Sequence, residues 1–225
     1  IAEISAAVRD LDDSYLFIQG PPGAGKTFAG SRVIVDLLQA GKRVGISSNS
    51  HKAIANLLAG VVEVARERGF VLRGARKGHD EGDPDPFAGS GIVTTEDNDT
   101  LLDDTQRLVA GTAWQFAQPA AEAAFDFLFI DEAGQVSLGH LVAIGVAARN
   151  IVLLGDQMQL PQPTQGIHPE RSGDSVLDYL LDGRSTIEPE RGIFLSDTWR
   201  MHPDVCGFIS AAIYDGELQS AAPCG

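Results

Sequence analysis

Cysteine is nearly missing from this chain: Cys206 and Cys224 are the only two among 225 residues. Two thiols cannot build a disulfide framework or a four-ligand zinc site, and no His/Cys spacing resembles a metal knuckle, which fits a reducing, cytoplasmic setting. Long hydrophobic runs are missing too. No stretch of about 18 apolar residues exists, and the acidic start IAEISAAVRDLDD has no signal-peptide core, so neither a membrane span nor secretion is expected. Basic residues are scarce, with 17 Lys and Arg against 31 Asp and Glu for a net charge of −14. A protein that neutralises phosphates needs a basic footprint. Nine of the acids, however, fall in residues 80–104, a window without Lys or Arg, and outside it 22 acids face 17 bases. The acidity is local, and charge neither supports nor excludes a nucleic-acid partner. No initiator Met precedes Ile1, and the abrupt start reads as an excised piece.

What is present is a globular composition, 44% hydrophobic, long enough to bury a core without staples. Short apolar runs alternate with longer segments of helical periodicity, the pattern of an α/β fold whose mostly parallel central sheet is flanked by helices. Strands are predicted at Tyr15–Gln19, Arg43–Ser47, Arg107–Gly111, Phe125–Asp131, Asn150–Leu154 and Ile193–Ser196. Helices are predicted at Lys26–Gln39 and His51–Arg68, each stopped by a glycine, and at Leu138–Ala148, Val176–Leu181 and Pro203–Tyr214. Residues 74–104 break the alternation. Rich in Gly, Pro and Asp, they are expected to form a solvated, disordered insertion.

The strand at 15–19 runs into Gly20, Pro21, Pro22, Gly23, Ala24, Gly25, Lys26 and Thr27 and then a helix, which satisfies G-x-x-x-x-G-K-[ST] in its strand–loop–helix context. Glycines let backbone N–H groups curl around a polyphosphate, and the helix N-terminus adds partial positive charge. Lys26 is placed to reach the β- and γ-phosphates, and the Thr27 hydroxyl to coordinate Mg²⁺. Such a site needs a metal-side carboxylate at the end of a buried strand. Phe127–Ile130 followed by Asp131 and Glu132 supplies one: Asp131 for Mg²⁺, Glu132 to orient and deprotonate an attacking water. A charged helix N-terminus would explain the acid pair alone; with the glycine-rich loop upstream, ATP and Mg²⁺ are the expected ligands.

The ordered set GPPGAGKT (20–27), SSNSHKAIANLL (47–58), GT (111–112), FIDEAGQ (129–135), LLGDQMQLP (153–161) and TWRMHP (198–203) resembles motifs I, Ia, Ic, II, III and IV of superfamily 1B helicases. The group typified by the nonsense-mediated decay helicase is the most similar. The resemblance implies a RecA-like P-loop motor domain over residues 1–190, with residues 191–225 opening a second RecA-like domain that carries motif IV and is truncated. It implies that Gln157 senses the γ-phosphate, that Gln135 joins the same polar network, and that Arg200 approaches the γ-phosphate. Asn49, Ser50 and His51 match the stretch that lies against a nucleic-acid backbone in members of the family, as do Thr112 with Ala113, while Pro161 sits where members approach the strand. Helix capping competes for Ser50. Trp114 could stack on a base, but half-buried packing is the preferred expectation.

Three departures stand out. The chain has no counterpart of the upstream glutamine that reads adenine in many members, it stops about twenty residues past RMHP, before motifs V and VI, and its insertion is short and acidic. The resemblance thus implies an ATP-dependent translocase on single-stranded DNA or RNA, moving 5′ to 3′, with a second RecA-like domain and a possible fused nuclease in a longer parent. The piece by itself is expected to be inactive, with Arg200 on an unsupported segment. An AAA+-like protein-remodelling ATPase and a nucleotide-dependent interaction module remain the alternatives.

Overall fold

The computed structural model describes residues 1–78, 85–159 and 169–221. Helix α1 (Ala2–Arg9) leads into β1 (Tyr15–Gln19), α2 (Lys26–Gln39), β2 (Val44–Ser47) and α3 (His51–Glu67). Then come β3 (Gly74–Lys77), β4 (Ile92–Thr95), α4 (Asn98–Leu102), β5 (Leu108–Gly111), α5 (Ala113–Phe116), β6 (Phe125–Ile130), α6 (Leu138–Gly145) and β7 (Ala148–Gly155). The chain closes with α7 (Val176–Leu181), β8 (Gly192–Phe194), β9 (Asp197–Thr198), α8 (Pro203–Ile213) and β10 (Gln219–Ser220). Each predicted strand and helix has its counterpart within a few residues. Helix α1 escaped the sequence reading, although Ile4 and Val8 are spaced to bury one face.

Eight strands form one sheet in the order β4-β3-β5-β2-β6-β7-β1-β8, and every described pairing is parallel. Parallel strands are joined by crossover helices that cover the sheet, and the central strands β2, β5 and β6 are buried almost throughout. Strand β6 shows how the period of two divides the core: Phe127 and Phe129 pack with α1, α2 and α3, whereas Leu128 and Ile130 pack with residues of α5, α6 and α7. No helix among the described residues is long and apolar enough to cross a membrane.

One expectation needs correction. Residues 74–104 are not one disordered insertion: β3 and β4 build the sheet's edge beside β5, and Phe87, Ile92 and Leu101 are buried. Too few apolar residues are spread over too many polar ones for periodicity to show, and only residues 79–84 of this stretch lie outside the described residues. The sheet runs on past residue 190. Strand β8 pairs with β1 through Phe17↔Gly192, Ile18↔Ile193 and Gln19↔Phe194. Only afterwards does the chain leave the sheet for a small unit of β9, β10 and α8, centred on Cys206, Tyr214 and Leu218.

Candidate active site

In an open parallel sheet, ligands collect outside the carboxyl ends of the strands. Here three adjacent strands, β6, β7 and β1, bring three sequence segments to that edge side by side: Asp131 with Glu132, Asp156 with Gln157, and the loop Gly20–Thr27. Register keeps them level, since Gln19 lies opposite Gly155 and Ile130 opposite Leu153.

The loop is a tight anion-sized turn. Gly20 N–H donates to Gly155 O at 2.9 Å, tying the loop's start to β7, and Ala24 N–H donates to Pro21 O at 3.0 Å. Gly25 caps α2 at φ 86°, and Gly23 has φ 79°. Both are left-handed conformations that favour glycine. At Gly23 a side chain is excluded for a second reason: its Cβ would lie 2.3 Å from Arg200 Cβ. Lys26 Nζ donates to Gly20 O at 2.8 Å, across the mouth of the loop, and Thr27 is exposed on the first turn of α2.

Asp131 is 5% exposed, and its Oδ1 accepts from Glu132 N–H at 2.9 Å. Burial above all, with the neighbouring Glu132 charge adding to it, pushes its carboxyl up to about 6. Glu132 itself has φ 52°, an uncommon left-handed conformation for a side-chain-bearing residue that costs about 1–2 kcal/mol. It opens the 3₁₀ turn Ala133–Gln135. Gln135 closes that turn, and its carbonyl accepts from Asn49 Nδ2, which joins the end of β2 to the acid-pair loop.

Asp156 is buried and accepts the Tyr214 hydroxyl at 2.7 Å and Met158 N–H at 3.3 Å. Burial raises its carboxyl although the Tyr214 bond pulls the other way, and the Tyr214 phenol is held above its usual range by burial and then by this bond. Gln157 lies in a polar cluster with Gln19, a fully buried residue at the end of β1 that the sequence reading took for an ordinary strand residue.

Arg200 is exposed, but its segment is not loose as expected. Trp199 N–H donates to Gly23 O at 3.0 Å, and the Thr198 hydroxyl donates to Pro22 O at 2.9 Å, so one backbone and one side-chain bond clamp this segment onto the loop. Between the clamp, the loop and α1 opens a cleft of about 740 Å³ lined by Ile4, Gly23, Gly25, Phe28, Leu195 and Trp199 among others.

The remaining candidates stand farther along the same edge. Asn49, Ser50 and His51 follow β2, while Thr112 and Ala113 follow β5, its parallel neighbour, with Ser47 opposite Gly111. Ser50 Oγ accepts from Ala53 N–H at 3.4 Å, so it caps α3, and His51 is exposed. Trp114 is 84% exposed, contrary to the expectation of half-buried packing. The single turn of α5 buries Gln115 and Phe116, which leaves Trp114 on the outer side. Pro161 lies outside the described residues.

Comparison with known proteins sets this geometry among relatives. The chain is 29% identical over 206 residues to the DNA replication ATP-dependent helicase/nuclease JHS1 of Arabidopsis thaliana, covering 91% of this chain and 15% of that protein. It is 26% identical over 213 residues to the DNA replication ATP-dependent helicase/nuclease DNA2 of Saccharomyces cerevisiae, covering 92% of this chain and 14% of that protein. The chain therefore spans a small part of these relatives' length. In fold it is similar to the arterivirus nonstructural protein 10 helicase solved with DNA, at a TM-score of 0.54 and 17% identity over 98% of this chain and 43% of that one. The PRRSV helicase is similar at 0.51 and 22%, over 99% and 38%. The model of the AAA domain family matches residues 2–169, a span that holds the phosphate loop, the acid pair and Asp156–Gln157, and the chain belongs to that family.

Proposed function

We propose that this chain is the nucleotide-hydrolysing motor domain of an ATP-dependent helicase or translocase of superfamily 1B type. The observation that carries the reading is the alignment of three strand ends, which brings the loop Gly20–Thr27, Asp156 with Gln157, and the buried Asp131 with the partly exposed Glu132 to one edge of one sheet. An AAA domain alone is compatible with protein remodelling; the likeness to helicase/nucleases along more than nine-tenths of the chain favours work on nucleic acid.

In this reading the N–H groups of Gly20–Thr27 and the α2 N-terminus hold the polyphosphate, and Lys26 leaves Gly20 O to meet the β- and γ-phosphates. Thr27 and Asp131 offer hard oxygen ligands that fit Mg²⁺, and Asp131 is a carboxylate that burial leaves short of positive charge. Bound Mg²⁺ supplies neutralisation of the charge developing between the β- and γ-phosphates. Glu132 takes a proton from the attacking water, Gln157 with Gln135 reports the γ-phosphate, and Arg200 stabilises charge on the transferred group. The cleft beside Trp199 receives the base. Asn49, Ser50, His51, Thr112 and Ala113 face the sugar-phosphate backbone of a single strand, DNA by likeness to the named relatives. A second RecA-like domain, which the segment beyond β8 leads toward, and a fused nuclease are the partners proposed for a protein of the relatives' length.

The test is calorimetric titration of the chain with Mg·ADP. Removing the ammonium in Lys26→Ala takes away a charge-assisted contact and lowers affinity by about tenfold or more. Glu132→Gln retains binding, because the amide keeps the side chain's shape. Equal ADP affinity of the wild type and Lys26→Ala would falsify the phosphate-site assignment.

A further inference from the structure

Gln19 is fully buried at the last position of β1, directly before the phosphate loop, and each end of its amide meets a backbone group of fixed polarity. Its Oε1 accepts from Ile187 N–H at 2.7 Å. A backbone N–H can only donate, so the oxygen end of the Gln19 amide must face Ile187. The nitrogen end then faces the other way, where Nε2 donates to Ser185 O at 2.8 Å and to Gln157 Oε1 at 2.8 Å. Ser185 O can only accept, which agrees with that orientation. The orientation passes on to Gln157. With its oxygen taken by Gln19, the Gln157 amide sets its nitrogen on the Ser185 side, where Nε2 donates to Ser185 O at 2.6 Å. A second N–H remains on the same nitrogen. A glutamine amide can flip by 180° at little cost when nothing opposes it, exchanging a donor for an acceptor. A γ-phosphate only accepts hydrogen bonds, so a flipped Gln157 would repel the group it has to sense.

We propose that Gln19 is a positioning residue that locks the amide polarity of Gln157, so that Gln157 presents N–H rather than C=O to the terminal phosphate. Two backbone groups of the segment before β8, Ser185 O and Ile187 N–H, anchor the lock. The inference rests on the proposed role of Gln157 as γ-phosphate sensor, and it gives Gln19 a role that neither strand packing nor the phosphate-loop pattern requires.

The readout is the ratio of affinity for a non-hydrolysable Mg·ATP analogue to affinity for Mg·ADP, measured on the 225-residue chain by calorimetry. Gln19→Met removes the donor to Gln157 Oε1 with little change in volume and leaves Ser185 O as the one group still holding the Gln157 amide. Gln19→Glu keeps an acceptor for Ile187 N–H but cannot donate to Gln157 Oε1 or Ser185 O when ionised, and it serves as the second variant should the first not fold. Both are expected to lower the ratio by about tenfold, the size of one lost hydrogen bond to a charged group. The double variant Gln19→Met/Gln157→Ala should match Gln157→Ala alone. A merely structural Gln19 lowers both affinities together and leaves the ratio in place. An unchanged ratio in both single variants overturns the proposal, and so does a double variant whose loss is the product of the single losses. If Gln157→Ala keeps the wild-type ratio, the sensor role falls and the lock with it, while the nucleotide site stands. A wild-type chain that binds neither nucleotide overturns the proposed function itself.

Discussion

Asp131 is held in a state that an isolated carboxyl avoids: buried, next to a second acid, and with its titration pushed up to about 6. The folded protein holds this proton more tightly than the unfolded chain does, whose value is near 3.8. The group's contribution to stability is therefore present below that unfolded value and is lost as the pH rises through about 6. Asp131→Asn, which removes the charge and keeps the shape, is expected to raise the unfolding free energy at pH 7.5 by about 1–3 kcal/mol. The gain should shrink toward zero as the pH falls from 6 to 4, a trend that urea titrations at several pH values would measure. A gain that stays constant with pH would mean that burial does not penalise the ionised form. Stability given up at Asp131 is the expected cost of the cation site proposed for it. The pairing of Asp131 with Glu132 was readable in the sequence, but the left-handed backbone of Glu132 was not, because Glu has no intrinsic preference for φ 52°.

At the scale of elements, the edge of the sheet depends on one arginine that the sequence presents only as the start of a strand. Arg43 is buried where β2 begins. Its guanidinium donates to Leu102 O at 2.8 Å, Asp103 O at 3.0 Å and Gln106 O at 3.1 Å, and lies 4.9 Å from the Phe125 ring centroid. Through these carbonyls it holds the turn between α4 and β5, and with it the acidic stretch whose composition reads as disorder. Its ion pair with Asp104 contributes little, since that carboxylate is fully exposed. Arg43→Met is accordingly expected to cost about 2–4 kcal/mol in urea unfolding, whereas Asp104→Asn should change stability by less than about 0.5 kcal/mol. Similar losses for the two variants would show that the ion pair, and not the carbonyl bonds, anchors this edge.

For the molecule as a whole, the link between the sheet and the unit formed by β9, β10 and α8 is chemically specific. Tyr214, at the end of α8, donates its hydroxyl to Asp156 at the carboxyl end of β7, next to Gln157. On the other side, Trp199 and Thr198 bond to the phosphate loop. The unit thus touches the carboxyl edge of the sheet, where the nucleotide is proposed to bind, at two points. Tyr214→Phe leaves a buried carboxylate without its strongest donor and should destabilise the chain by about 1–3 kcal/mol at pH 8. Asp156 already titrates above the ordinary carboxylate range, so acidification returns its proton and the loss should diminish at lower pH. Thermal melts of both chains at pH 8 and pH 5 check this; a loss independent of pH would assign Tyr214 to packing alone.

The sequence by itself determined the layered α/β plan, the phosphate loop and the acid pair, because each is written in local terms: a period of two or 3.6, a glycine where φ turns positive, an acid after a buried apolar run. Only the tertiary structure decided which strand ends lie side by side, since strand order depends on contacts between residues distant along the chain. That is why Gln19 looked like any strand residue until Gln157, Ser185 and Ile187, each at least 138 positions away, closed around its amide. Residues 74–104 were misread for the same reason: a few apolar side chains suffice to add edge strands when a finished sheet offers them a template, and no local pattern records that offer.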